Sequence, residues 1–317
     1  MTMTIRRLGD SGLAVSTAGL GCNTFGATLP PEQVGEVVGA ALDAGVTLFD
    51  TADVYGGVPG QSEELLGAAL KGRRDDVVVA TKFGLDAGGL NGADWGARGS
   101  RRYVRRAIEG SLRRLGTDHV DLYQLHSPDP ATPVEETLAA LHELVVEGKV
   151  RYLGSSNLAA WQVVDADWAA RTAGTSPFVS AQNRYNLLDR SVEADLVPAA
   201  EHVGVGILPY VPLASGLLTG KYRRGQDAPA GSRLSRMPHR LAAADFDRIE
   251  ALAALADDWG VDLPTVALGG LAAQPGVASI ISGARTPEQV RANVAAALWE
   301  PTLEQLAAID DASPGPV

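Results

Sequence analysis

From Thr17 to Ala297 the chain repeats one pattern. A short apolar run is followed by a polar, Gly-containing turn and then by a stretch with apolar residues three and four apart. The first apolar run closes at Leu20-Gly21. A helix is expected over 32–44, with Pro31 at its start and Gly45 after its end. Strands follow at 47–50, 77–82, 120–126, 150–155, 178–182, 206–210 and 278–282. Helices fall at 62–70, 100–115, 134–147, 159–170, 192–202 and 287–297, with a closing helix at 303–310. Eight β/α units in a chain of 317 residues suit a closed (β/α)8 (TIM) barrel, an α/β fold, better than an open sheet. The segment 5–15 reads as a short N-terminal hairpin ahead of the first barrel strand. With no linker or low-complexity tract, residues 1–317 are expected to form one domain. The stretch 214–244, after the seventh strand, is rich in Gly, Pro, Ser and Arg. A loop of that length is either functional or a disordered insertion.

A formal net charge of −11 argues against nucleic acid and anionic membrane as partners, because neutralising phosphates needs clustered Lys and Arg. The arginines at 101, 102, 105, 106, 113 and 114 lie mostly opposite Val104, Ile108, Leu112 and Leu115 on their helix, so they read as a solvated face. One cysteine, Cys22, excludes an intramolecular disulfide and any Cys-based zinc site. The N-terminus has no apolar signal region and no run of about 18 apolar residues occurs, so a soluble, cytoplasmic protein is expected.

Several chemistry-bearing motifs begin and fail. Gly19-Leu20-Gly21 opens a dinucleotide fingerprint, but Thr24 stands where the third glycine belongs. The stretch 216–222 approaches a P-loop, is one residue short, and ends in Tyr222 instead of Ser or Thr. Gly154-Ser155-Ser156-Asn157-Leu158 is not a nucleophile elbow. His119, His126, His142, His202 and His239 lack metal-binding spacing, so no metal is expected.

The strand ends carry the chemistry. In an eight-stranded barrel, catalytic groups come from the C-terminal ends of the strands. Three successive runs here deliver Asp50, Lys82 and His126 to that rim, with Tyr55 just beyond the first. Taken singly each has an ordinary reading: Asp50 in a structural salt bridge, Lys82 as its inert partner, His126 as a satisfied core histidine, Tyr55 as nothing in particular. Together they supply a proton donor, its tuner and a polariser. A free phenol, with a pKa of about 10, is a poor acid near neutrality. An ammonium about 4 Å away favours the phenolate by roughly 4 kcal/mol at an effective dielectric near 20, enough to lower that pKa by about two to three. Asp50 would hold the lysine charged and offset part of its pull. A neutral His126 could polarise a carbonyl by donating a hydrogen bond.

The chain resembles the aldo-keto reductase superfamily through Phe49-Asp50-Thr51-Ala52-Asp53-Val54-Tyr55-Gly56, Thr81-Lys82-Phe83-Gly84, Asp121-Leu122-Tyr123-Gln124-Leu125-His126, Gly154-Ser155-Ser156-Asn157 and Gly283-Ala284-Arg285-Thr286-Pro287-Glu288-Gln289-Val290-Arg291-Ala292-Asn293. These stretches span nearly the whole chain in the family's order. The runs 182–190 and 218–222 are similar to the branch containing potassium-channel β-subunits and related bacterial reductases. The resemblance implies a (β/α)8 barrel that binds extended NADPH and passes hydride between nicotinamide and a carbonyl carbon. In that reading Tyr55 is the acid, Lys82 and Asp50 tune it, and His126 orients the substrate.

The resemblance also implies the cofactor contacts. Ser156, Asn157 and Gln182 match residues that bond the carboxamide, and Tyr210 matches an aromatic stacked on the nicotinamide. Gly21, Cys22, Asn23 and Asp50 lie beside the nicotinamide end, Cys22 and Asn23 through backbone. Val211, Pro212, Leu213, Ala214, Gly216 and Lys221 fall where the loop after strand seven wraps the pyrophosphate, and Arg233 would close over it. Gly283, Arg285, Gln289 and Asn293 match the adenosine end, where Arg285 would pair with the 2′-phosphate and favour NADPH over NADH. The chain ends soon after its last helix. Substrate contacts are therefore expected from Phe25 and Trp95 as well as Tyr55 and His126, with Trp95 either walling the pocket or packing within its loop. A small-molecule carbonyl or alcohol is the expected partner, and a homo-oligomer is left open. Two other readings are a nucleotide-sensing regulatory subunit and a Schiff-base aldolase or isomerase built on Lys82. The complete tetrad favours the reductase over the first, and Asp50 with the Asn/Gln/Tyr set favours it over the second.

Overall fold

A computed structural model describes residues 2–316. Eight strands form one parallel sheet: β3 (Ala18–Gly21), β4 (Leu48–Asp50), β5 (Val78–Phe83), β6 (Val120–Leu125), β7 (Val150–Ser156), β8 (Phe178–Gln182), β9 (Gly206–Ile207) and β10 (Ile280–Gly283). From β3 to β9 each strand pairs with the next, and β10 pairs back onto β3. The circle closes between β9 and β10 through backbone bonds from Ile207 to Gly276, Ala278 to Ile207 and Ile281 to Pro209. This is the (β/α)8 barrel the sequence leads one to expect. The antiparallel hairpin β1 (Ile5–Arg7) and β2 (Ala14–Ser16) precedes it.

Strand alternation and register sort the interior into layers. Ala80 is level with both Asp50 and Leu122, Lys82 with Gln124, and Ser156 with Gln182. Inward positions thus run from Leu48, Ala80 and Leu122 toward the strand starts to Asp50, Lys82 and Gln124 at their ends. The hairpin plugs the apolar end: Leu8, Leu13 and Val15 pack with Leu48, Ala80, Leu122, Leu208 and Ala278. The Arg6 guanidinium ties it down by donating to the carbonyls of Ala272 and Val277. The opposite, polar end is therefore the one left open for chemistry.

Outward strand residues such as Phe49, Val79, Tyr123, Leu153 and Ala181 pack against the helices. Those helices are α1 (Val34–Asp43), α2 (Gln61–Ala69), α3 (Arg101–Leu115), α4 (Val134–Val146), α5 (Ala160–Ala173) and α6 (Leu196–Val203). Further along lie α7 (Pro238–Ala242), α8 (Phe246–Asp258), α9 (Leu263–Ala272), α10 (Pro287–Ala297) and α11 (Leu303–Ala312). The arginine face expected on α3 is only partly solvated. Arg101 and Arg105 pair with Glu143 of α4, whereas Arg114 turns inward to a fully buried Glu63 at 2.6 Å.

The segment 214–244 holds two short 3-10 turns and α7, and Leu218, Tyr222 and Leu234 are buried within it, so it is a folded strap. The backbone N–H of Leu234 donates to the Tyr222 hydroxyl at 3.1 Å and fastens its two arms. Strand seven is shorter than expected: only Gly206–Ile207 pairs as a strand, and Tyr210 joins by isolated bridges to Arg184 and Ile281.

Candidate active site

The Lys82 ammonium has three N–H donors, and the barrel mouth uses all three. It donates to Asp50 Oδ2 at 2.6 Å, to the Thr51 carbonyl at 3.0 Å and to the Tyr55 hydroxyl oxygen at 3.4 Å. The Lys82 side chain is fully buried and that of Asp50 is 3% exposed, so the pair lies out of water. His126, which follows β6 directly, sets its ring edge-on to Tyr55, with centroids 5.7 Å apart and planes at 82°. The four expected residues therefore converge on one point.

Their protonation states follow from these contacts. Burial works against the Lys82 charge, but Asp50 and then Tyr55 outweigh it, and its pKa lies above the ordinary lysine value. Burial pushes the Tyr55 phenol up; the Lys82 charge and hydrogen bond pull it back, and Asp50 opposes them. The balance is upward, which overturns the expected net lowering, because the cost of a buried phenolate exceeds what a half-neutralised lysine returns. Tyr55 is thus held as the protonated acid. Since Lys82 can only donate to its oxygen, the phenolic proton is free to point into the mouth. Burial, and then the Lys82 charge, drive the His126 imidazole down to about 3, so the ring is neutral. Its Nδ1 is buried with no partner among the described residues. A proton there would be an unpaired buried donor, so the neutral ring carries its hydrogen on Nε2.

The loop that presents Tyr55 is closed by its own backbone. Asp53 N–H donates to the Lys82 carbonyl and Ser62 N–H to the Tyr55 carbonyl, both at 3.1 Å. The Ser62 hydroxyl lies 2.9 Å from that of Thr51 and donates to the Cys22 carbonyl at 2.8 Å. Beneath the loop, Asn91 Nδ2 donates to Asp53 Oδ2 at 2.7 Å and Thr81 to Glu63 at 2.6 Å. Burial, and then Glu63, raise the Asp53 carboxyl to about 7, against the pull of Asn91 and Arg114.

Asp50 is also held by two glutamines, of which the sequence reading singled out only Gln182, and for another role. Its Oδ1 accepts from Gln124 Nε2 at 3.0 Å and from Gln182 Nε2 at 2.9 Å. Gln124 lay inside a stretch quoted for its histidine, and strand alternation alone would have placed it inward. Asp53, Asn91, Glu63 and Arg114 were missed for a different reason, since their pairing spans separate elements and has no local signature.

Several of the expected cofactor residues end strands: Gly21 ends β3, Ser156 β7, Gln182 β8 and Gly283 β10. Asn157, at φ 60°, donates from Nδ2 to the His126 carbonyl at 2.9 Å and accepts from the Tyr210 hydroxyl at 2.8 Å. Ser156 donates to the Gln182 carbonyl at 2.8 Å. Val211, Ala214 and Ser215 also have positive φ (56°, 48° and 60°), unusual for side chains with a Cβ and concentrated where the strap leaves the barrel. Pro212 is buried, Leu213 and Gly216 half-buried, and Lys221 and Arg233 are exposed. Arg285 is exposed; its N–H donates to Gln289 Oε1 at 2.9 Å, and Asn293 donates to the Gly283 carbonyl at 3.3 Å. Asn23 is exposed beside Gly21. The Cys22 N–H and carbonyl are taken by Asp50 and Ser62, leaving no backbone group there for the expected contact. Phe25 has no exposed surface and packs in the main core, so it is not a wall of the mouth. Trp95 is 75% exposed, and the guanidinium of Arg102, in the first turn of α3, lies over its ring 3.9 Å from the centroid.

Residues 17–314 match the profile of the Aldo/keto reductase family. The chain belongs to that family. It is 37% identical to the uncharacterized oxidoreductase YrpG of Bacillus subtilis over 98% of this chain and 95% of that protein. It is 38% identical to a probable voltage-gated potassium channel subunit beta of Oryza sativa, covering 93% of this chain and 91% of the relative. A protein of Arabidopsis thaliana with the same description is 35% identical, with the same coverage. The family and the Bacillus subtilis relative support an oxidoreductase function. No helix among the described residues is long and apolar enough to cross a membrane.

The histidine of this aldo/keto reductase family member can be followed directly. Because its folded-state pKa lies near 3, below the free-histidine value of about 6.5, the unfolded chain binds the proton first. The stability contributed by neutral His126 is full above pH 6.5 or so and is lost as pH falls through that value toward 3. Nitrogen-15 NMR should show an Nε2–H ring that does not titrate between about pH 5 and 8. A midpoint near the free-histidine value would contradict the burial argument.

Proposed function

We propose that the protein reduces an aldehyde or ketone to the alcohol, drawing hydride from NADPH and a proton from Tyr55. The observation that carries this reading is the buried Lys82 ammonium shared between the Asp50 carboxylate and the Tyr55 hydroxyl. A carbonyl oxygen placed between Tyr55 and His126 would meet two donors, the phenol and the imidazole Nε2–H. As negative charge grows on that oxygen, the phenol gives up its proton. The phenolate then forms 3.4 Å from a cation that is already fixed, so no reorganisation is needed at that moment. Solvent restores the phenol after the alcohol leaves.

The residues at the rim fit a dinucleotide. Ser156, Asn157 and Gln182 offer polar edges beside the tetrad, Tyr210 is pinned upright by its bond to Asn157, and exposed cations stand at Lys221, Arg233 and Arg285. Arg285 has no acidic partner among the described residues and is the candidate for the 2′-phosphate. When bound, the nicotinamide supplies the hydride. A single barrel acting in the cytoplasm on a small carbonyl compound, as a monomer or homo-oligomer, suffices for this chemistry. The plant relatives are named as channel subunits, and a cofactor-sensing regulatory role is the second reading, but a neutral histidine beside a protonated tyrosine favours catalysis.

Replacing Tyr55 by Phe should lower carbonyl-dependent NADPH oxidation by a factor on the order of 10²–10⁴ with cofactor affinity little changed; turnover at the parent rate would refute the acid assignment. Arg285→Ala should weaken NADPH binding about 10- to 100-fold, the worth of a charge-assisted pair, and NADH binding far less. Equal losses for the two cofactors, read by fluorescence titration, would remove the 2′-phosphate role.

A further inference from the structure

Two buried glutamines stand side by side in the polar layer of the barrel, and only one of them has a place in the proposed reaction. Gln124 is fully buried and Gln182 is 2% exposed. Each donates from Nε2 to the same oxygen, Asp50 Oδ1, and Gln182 Nε2 also donates to Gln124 Oε1 at 3.1 Å. The orientation of both amides is set by chemistry. A carboxylate paired to an ammonium can only accept, so each glutamine must turn its NH2 toward Asp50. Gln124 then has its carbonyl oxygen facing Gln182, where it takes the second N–H. Both N–H groups of Gln182 are spent, and its one unspent polar atom is the acceptor Oε1.

The barrel is built to admit this residue. Gly154 lies level with Gln124 on the neighbouring strand. A Cβ there would collide with Ser180 Oγ and come within 2.9 Å of Gln124 Cγ, so the missing side chain leaves room for the serine and the glutamine together.

We propose that Gln124 is a positioning residue: by capping Asp50 Oδ1 and taking the second N–H of Gln182, it fixes Gln182 as a pure acceptor that selects the amino group of the nicotinamide carboxamide. Its effect passes through Gln182 and needs no contact with the cofactor. The proposal rests on the NADPH-dependent reading above. It predicts a preference that depends on the carboxamide NH2 and on no other part of the dinucleotide.

The test compares NADP+ with its 3-acetylpyridine analogue, in which a methyl group replaces that NH2. The parent protein should bind NADP+ about five- to tenfold more tightly than the analogue, the worth of one net hydrogen bond. Gln124→Met, close in size and lacking the amide, should bring the two dissociation constants together by weakening NADP+ alone. Gln182→Leu should do the same, and the double variant should add nothing further. Should Gln124→Met fail to fold, Gln124→Asn, which withdraws the amide by one methylene, carries the same expectation. Equal weakening of both dinucleotides, or undiminished preference in the variant, overturns the role of Gln124. If the parent protein binds neither dinucleotide, the NADPH reading itself falls and takes this proposal with it, an outcome separable from the others because it is seen before any substitution.

Discussion

A lysine ammonium with no exposed surface is the constraint around which the rest of the barrel is arranged. A buried charge is tolerated only when its partner is close and the remaining donors and lone pairs are satisfied. Asp50 supplies the partner, the Thr51 carbonyl takes a second N–H, and the Tyr55 oxygen takes the third. The carboxylate in turn needs donors, which come from Gln124 and Gln182 on two other strands. Taking away either ion of the Lys82–Asp50 pair leaves the other buried and uncompensated, at a cost of about 3–5 kcal/mol. The placing of the Tyr55 phenol is thereby coupled to the stability of the scaffold.

That set can exist because the barrel interior changes character along its axis. Leucines and alanines, sealed by the N-terminal hairpin, fill one end, and the next inward residue of β4, β5 and β6 is polar. A slip of one residue in β5 would turn Lys82 outward into the helix layer and bring Thr81 inside. The Tyr55 loop is held in a similar way. The Glu63–Arg114 pair and the Asp53–Asn91 hydrogen bond anchor both sides of it to α3 and to the segment after β5, so the phenol approaches the lysine from a fixed direction.

Much of this was legible in the sequence because the barrel is a repeating object. Apolar runs ending in Asp50, Lys82 and His126 located three strands to within a residue or so. α10 was placed at its observed bounds by Pro287, with Thr286 now seen to cap it by accepting from Gln289 N–H. The sequence reading named no element between 245 and 277, where α8 and α9 lie. α9 is buried along most of its length, so it lacks the amphipathic rhythm that marks a surface helix, although Asp262 caps it and Pro264 lies in its first turn. Asp50, Lys82 and His126 could be picked out because they stand at or just past strand ends, with Tyr55 in the loop beyond the first. The Asp53–Asn91 and Glu63–Arg114 partners could not, because nothing local links residues 38 or 51 positions apart. The direction of the Tyr55 pKa was misjudged because the charge of a neighbour can be read from sequence and the depth of burial cannot.

The central claim is that the Lys82 cation stabilises the phenolate as hydride arrives at carbon. Single-turnover hydride transfer in folded Lys82→Met, started with NADPH already bound, tests it most directly. The account predicts a slower transfer step by a factor on the order of 10²–10³, in line with loss of one preorganised electrostatic contact, with the cofactor still retained. Transfer at the parent rate in that variant would contradict it.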